Sequence, residues 1–296
     1  MPQKITKEEA EKIGGDLGID WSRFDVEQFR RGMDVELEHG TRDAKTNVTN
    51  DDMLTTGKIA LEIINKLKIG AKPANIIGMA RFGIRPQAQV LGVVMPFLRQ
   101  LAKQIKKSPA DRHQLAAELW QSGIHEAKIL ASIIEEPALV NAGQMDAWIK
   151  DFDSWDVCDQ VCLNLFYGLK PAFGKCFIWA KRQKEFERRA GFALMASLAV
   201  KDKKAADKEF IKFLPVIKKY AADERNYVRK AVNWALRQIG KRNLTLNKEA
   251  IKLAEEIYKI DNKTARWIAG DALRELQSAA VRQRLEIKIK KRKLAC

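Results

Sequence analysis

The chain has 296 residues, 46% hydrophobic and 31% charged, enough to bury a sizeable core and ordinary for a soluble globular protein. Lys and Arg number 54 against 38 Asp and Glu, a formal net charge of +16. The charge is uneven: residues 1–57 carry 8 Lys/Arg and 13 Asp/Glu (net −5), so the remainder carries 46 against 25 (net +21). No run of about 18 apolar residues is present to span a membrane, and the opening Met-Pro-Gln-Lys-Ile-Thr-Lys has no apolar signal core, so a cytoplasmic protein is expected. Four cysteines in this length do not make a disulfide framework, and buried free thiols are expected. The cationic excess points to a polyanion partner, of which nucleic acid is the commonest.

Residues 5–17 and 25–38 read as short amphipathic helices flanking Gly18-Ile-Asp-Trp-Ser22, and Gly40 ends the second. Thr41–Asn50 reads as a loop, and Asn50 or Asp51 opens a helix through about Leu67. Glu36, Glu38 and His39 lie close together, but one histidine at a helix end serves the helix dipole more often than a metal, and no metal is expected. This opening resembles a small uncharacterised domain of bacterial and archaeal proteins. The resemblance rests on Phe29-Arg-Arg-Gly-Met-Asp-Val-Glu-Leu-Glu-His-Gly40, Thr46-Asn-Val-Thr-Asn-Asp-Asp52 and Thr56-Gly-Lys-Ile-Ala60, and it implies no function.

Gly70 and Pro73 punctuate a boundary, giving a small acidic helical domain over 1–67 and a linker over 68–75. From there the pattern is helical, without period-2 strands. Helices are expected over 96–107, 112–122, 124–136, 142–150, 154–168, 174–182, 184–200, 206–221, 224–240, 247–259 and 262–277. Ser154 or Asp153 can cap the helix that Trp155 opens. Short links favour stacked antiparallel hairpins. Ala235-Leu-Arg237 recurs as Ala272-Leu-Arg274 at an offset of 37 residues, and Phe192-Ala-Leu194 matches Trp234-Ala-Leu236 at 42. A period near 40 predicts an all-α, HEAT-like or armadillo-like helical-repeat solenoid over 76–281. Residues 282–296 form a basic C-terminal tail, with seven Lys/Arg against Glu286 alone between Arg282 and Lys293. It reads either as a soluble helix end or as a phosphate grip.

No phosphate-binding Gly-rich loop, Gly-x-Ser-x-Gly elbow or His-Glu-x-x-His is present. Three constellations remain. Trp155 and Asp159 stand four apart, on one helical face. Arg188 and Arg189 open an apolar helix. Lys230, Trp234 and Arg237 interleave an aromatic with cations at i, i+4 and i+7, as a surface that binds a nucleic-acid backbone requires. For each, the bland alternative is a solvated or core role.

The sequence over about residues 76–277 resembles the AlkD-like DNA alkylation repair glycosylases. The motifs that carry it are Ser154-Trp-Asp-Val-Cys-Asp159, Arg188-Arg-Ala190 and Val228-Arg-Lys-Ala-Val-Asn-Trp-Ala-Leu-Arg-Gln-Ile-Gly-Lys241. Leu91-Gly-Val-Val-Met-Pro-Phe-Leu-Arg99 and Leu115-Ala-Ala-Glu-Leu-Trp120 support it. The resemblance implies a HEAT-like fold, no cofactor, and excision of N3- or N7-alkylated purines from duplex DNA by a monomer. It implies a site of Asp159, Trp155 and Arg189 (or Arg188) with Trp234; the spacing on the later helix adds Lys230 and Arg237 as expected DNA contacts. Phe82 stands where some members have a tyrosine. The expected role of Asp159 is to stabilise the oxocarbenium-like sugar, ionised because nearby arginines lower its pKa. The rival expectation is a catalytically silent repeat module that binds DNA or RNA structures, to which a carboxylate beside phosphates is of no use.

Overall fold

A computed structural model describes residues 50–294; the helices expected over 5–17 and 25–38, and Glu36, Glu38 and His39, lie outside them. The chain divides into two compact units that meet in sequence at Glu135 and Glu136, inside the span read as one repeat domain.

In the first unit, α1 (Asn50–Ile69) places Ala60, Ile63, Ile64 and Leu67 at helical spacing, and all four are buried. It packs on α4 (Arg112–Gln121) and α5 (His125–Ile134). The helix therefore carries core residues up to the boundary expected at residue 67 and ends two residues beyond it. A further helix, α2 (Pro73–Arg81), begins inside the expected linker. Its first residue is Pro73, which at that position loses no intrahelical bond. α3 (Met95–Ile105) buries Leu98, Leu101, Ala102 and Ile105 along one stripe. Between α2 and α3 the backbone passes Gly92, whose φ of +72° suits glycine and where a Cβ would strike the Lys72 carbonyl. The buried Glu126 carboxylate holds this loop, accepting hydrogen bonds from the Leu91, Gly92 and Val93 amides. Among the described residues there is no strand, only an isolated bridge between Gln89 and Ile124.

The second unit begins with α6 (Ala142–Lys150) and α7 (Trp155–Asn164). A continuous helix over 154–168 is expected, but Leu165 leaves helical geometry (φ −125°, ψ −62°) and a 3-10 turn follows over Phe166–Gly168. That bend seats Phe166 against Trp148 and Trp179, with ring centroids 6.3 and 5.6 Å away. α8 (Ala172–Ala180) then packs on α9 (Glu185–Lys201). The helix expected over 206–221 is two, α10 (Asp207–Ile211) and α11 (Leu214–Lys219). Pro215 has no N–H to offer the Ile211 carbonyl, and its ring crowds that position. α12 (Asn226–Gly240), α13 (Leu244–Tyr258), α14 (Lys263–Leu276) and α15 (Ala279–Leu294) complete the unit. The basic tail is thus helical over most of its length, anchored by buried Val281 and Leu285.

Helices α9, α12 and α14 run in one direction, side by side. Gln183, Arg189 and Ala199 pair in rising order with Arg225, Tyr227 and Arg242. Asn233 and Arg237 meet Asp271 and Glu275, both 38 residues on. The seam register of 38 sits one residue from the sequence offset of 37. α7 flanks α9, while α13 packs against α12 and α14. α8 and α9 approach closely at Gly191, where a Cβ would lie 2.6 Å from the Ala180 nitrogen.

Candidate nucleic-acid site around Asp159

Ser154 occupies the residue before α7 with extended geometry (φ −147°, ψ 155°), but its side chain caps no backbone amide. Its hydroxyl instead donates to Asp156 Oδ1 at 2.6 Å. Trp155 opens the helix and is half-buried, and Asp159 follows one turn later on the same face.

Asp159 faces α9. Arg189 Nε donates to Asp159 Oδ1 at 3.1 Å and Nη2 to Oδ2 at 2.8 Å, a bidentate pair that fixes both planes. The remaining guanidinium nitrogen, Nη1, donates to the Tyr227 carbonyl at 2.6 Å, in the first turn of α12. One arginine therefore joins three helices. Its side chain is 6% exposed and that of Asp159 14%. Burial pushes the Asp159 carboxyl above its usual range; the Arg189 guanidinium opposes that shift and Asp156 adds to it. The expected lowering is therefore corrected: the arginine is present, but desolvation outweighs it. Burial works against the charge of Arg189, and Asp159, with Cys158 and Cys162 beside it, more than offsets that and raises Arg189.

The neighbouring arginine has another task. Arg188 donates from Nε to the Arg182 carbonyl at 2.8 Å and from Nη1 to Asp223 at 2.7 Å, over the Tyr220 ring at 4.7 Å. Of the two arginines, Arg189 is the one brought to Asp159. Residues that spacing alone does not single out complete the frame. Glu185 accepts from the Tyr227 amide at 2.9 Å, Phe186 packs on the Tyr227 ring at 5.2 Å, and Arg225 clamps Asp223 while reaching the Gln183 carbonyl. Burial raises Asp223, but Arg225 and Arg188 together hold it lower, at about 2. The sequence signal for this frame was available in principle, since its partners sit about 35–42 residues apart, near the repeat period.

On α12, Lys230 is exposed and Trp234 half-buried on the open side of the helix. Arg237 turns toward α14, where it pairs with Glu275 at 2.9 Å and Asp271 at 3.3 Å. Phe82 is 76% exposed, just after α2 in the first unit. Cys158, Cys162 and Cys176 are buried free thiols, as expected. Among the described residues no cluster of three His, Cys, Asp or Glu side chains is placed to hold a metal ion, and no helix is long and apolar enough to cross a membrane.

This arrangement of helices is shared with a solved structure described as "a new family of proteins related to the HEAT-like repeat DNA glycosylases with affinity for branched DNA structures". The likeness has a TM-score of 0.61 at 22% identity and covers 76% of this chain and 94% of the other. The fold is accordingly that of an all-α, HEAT-like repeat protein. A family model described as DNA alkylation repair enzyme matches residues 63–281, well over half of the chain, and the chain belongs to that family. A second model, described as a protein of unknown function, matches residues 10–66, in keeping with the resemblance of the opening segment. No curated protein matches.

Proposed function

We propose that this protein is a DNA repair glycosylase that excises cationic N3- or N7-alkylated purines from duplex DNA. The observation that carries this reading is the Asp159–Arg189 unit, a carboxylate preorganised on both oxygens by a buried guanidinium in a chain of this family. An alkylated purine already bears positive charge, so its bond to C1′ breaks with the electron pair passing to the base, which leaves neutral. Positive charge then develops on the deoxyribose, where a fixed carboxylate stabilises it. Water adds at C1′ and gives up its proton, leaving an abasic site. Arg189 occupies one lone-pair direction on each Asp159 oxygen, and the others remain for the sugar or the water. Trp155 and Trp234 would press on sugar and backbone, with Lys230 on phosphate.

The test is single-turnover incubation of the protein with duplex DNA containing N7-methylguanine, reading free base by chromatography. Release that falls about 10²–10³-fold in Asp159→Asn supports the assignment, and no release by the unsubstituted chain overturns it. One observation favours a second reading, a catalytically silent module that binds branched DNA: Arg189 already engages both Asp159 oxygens. The description of the structurally similar protein runs the same way. That reading expects tight junction binding with no base release.

A further inference from the structure

The seam between α12 and α14 presents a feature that the Asp159 site does not use. Trp267, in the second turn of α14, is 42% exposed. The Arg229 guanidinium lies over its ring, 5.2 Å from the centroid, so the exposure falls on the other face and the edges. Arg229 is itself held in place, donating from Nη2 to Asn226 Oδ1 at 3.2 Å, with a buried Nε that has no hydrogen-bond partner. The space one turn on from the ring is open, because Gly270 follows at i+3 and a Cβ there would meet only Tyr258 Cε2, at 3.9 Å. Tyr258 is 53% exposed, so a second aromatic borders the same opening.

The surroundings are cationic. Lys230 and Lys263 are exposed on the two helices, and the nearby acids are engaged: Asp271 by Asn233, Arg237 and Arg274, and Glu275 by Arg237 and Lys241. A single half-exposed ring needs no cover; what sets this one apart is the guanidinium packed on one face, with a second aromatic and lysines at its border. A flat ring backed by a guanidinium and set among free lysines fits a nucleobase attached to a phosphodiester chain. Bases inside a duplex already stack on both faces, so such a ring can receive only an unpaired one.

We propose that Trp267 is a stacking platform for an unpaired nucleobase, which lets the protein distinguish gapped, forked or branched DNA from continuous duplex. The proposal rests on the DNA-binding reading above but not on base excision. Its test is anisotropy titration of the full chain with a labelled continuous duplex and with the same duplex carrying a single-stranded arm. Trp267→Ala should weaken binding to the forked DNA about tenfold or more and leave duplex affinity within about twofold, while Trp267→Phe keeps most of the preference. Trp267 is more than half covered and carries Arg229 across the seam, so Trp267→Ala should melt somewhat lower; the duplex affinity of the same sample shows that the fork-specific loss is not unfolding. Equal loss on both DNAs, or no loss on the fork, overturns the platform while leaving DNA binding intact. Failure of the unsubstituted chain to bind either DNA overturns the functional reading and the platform with it.

Discussion

Replacing Asp159 with Asn tests how far the site is also a structural joint. The substitution keeps the shape but removes the charge that compensates Arg189, a side chain only 6% exposed. It also turns an amide N–H₂ toward one of the two guanidinium donors, so one of the contacts at 3.1 and 2.8 Å must fail. Breaking a buried pair from one side costs about 3–5 kcal/mol, and the 14% exposure of Asp159 argues for the lower end. A loss of about 3 kcal/mol is therefore expected in urea unfolding followed by circular dichroism. Arg189→Met should also destabilise, since it strips a buried carboxylate of its partner and removes the link from α9 to the Tyr227 carbonyl. The double variant should recover part of the combined loss, because neither charge is then buried without its partner, although the contact to the Tyr227 carbonyl stays lost. Arg189→Met adds a pH signature. With the guanidinium gone and burial remaining, the folded-state pKa of Asp159 rises further above its unfolded value, so the stability of this variant should fall as pH rises from about 4 through that folded pKa. Losses in the two single variants that simply add would refute the coupling. An Asp159→Asn variant within about 0.5 kcal/mol of the parent would show that the pair does not hold α7 to α9.

Three other expectations are independent of that pair. Burial raises the Glu118 carboxyl to about 7, against a hydrogen bond from Gln114 that lowers it, and its Oε2 has no partner. The stability that Glu118 contributes should therefore be fullest below about pH 4 and be lost as pH rises through about 7, so Glu118→Gln should stabilise by about 2–3 kcal/mol at pH 8 but hardly at pH 4, read as a higher melting temperature at the higher pH only. Gly191→Ala should destabilise by about 1–3 kcal/mol, read as a lower urea midpoint, because its Cβ would sit 2.6 Å from the Ala180 nitrogen; an unchanged midpoint would mean that α8 and α9 can part freely. DNA affinity should fall steeply with salt, with a log–log slope of roughly −5 if about 6 phosphates are neutralised, and a slope near zero would leave the net +21 of residues 58–296 without this explanation.

The helices were legible where apolar residues recur at 3.6-residue spacing, as Leu98, Leu101, Ala102 and Ile105 do in α3. Breaks inside helices were less so. Pro215 is a local signal for the break between α10 and α11, whereas the turn at Leu165 serves the burial of Phe166 against Trp148 and Trp179, a tertiary cause that no local spacing carries. α2 was missed because Gly70 and Pro73 also punctuate linkers. At the site, the i, i+4 relation of Trp155 and Asp159 could be read directly. That Asp159 meets Arg189 rather than Arg188 could not, since it depends on which side of α9 turns toward α7. The direction of the Asp159 shift is illegible for a related reason: burial, the larger cause, raises it and leaves no local sequence signal, whereas the arginines that lower it are visible in the sequence.

These findings bear on where function can be read experimentally. Asp159 and Arg189 connect α7, α9 and the start of α12, so substitution there changes the frame and the candidate chemistry together. Arg188 is equally committed, through Asp223 and the Arg182 carbonyl, and Arg237 is neutralised by Asp271 and Glu275. Charge on this row of helices is thus largely consumed in holding neighbours in register. Cations and rings left available to a ligand include Lys230, Trp234, Lys263 and Trp267, which make no hydrogen bond or ion pair across a seam, although Trp267 meets Arg229 face-on. A loss of DNA affinity at those positions with an unchanged melting curve therefore reports on the ligand alone. The same loss at Asp159 is interpretable only beside the double variant with Arg189, in which no unpaired charge is left buried and the carboxylate is still missing.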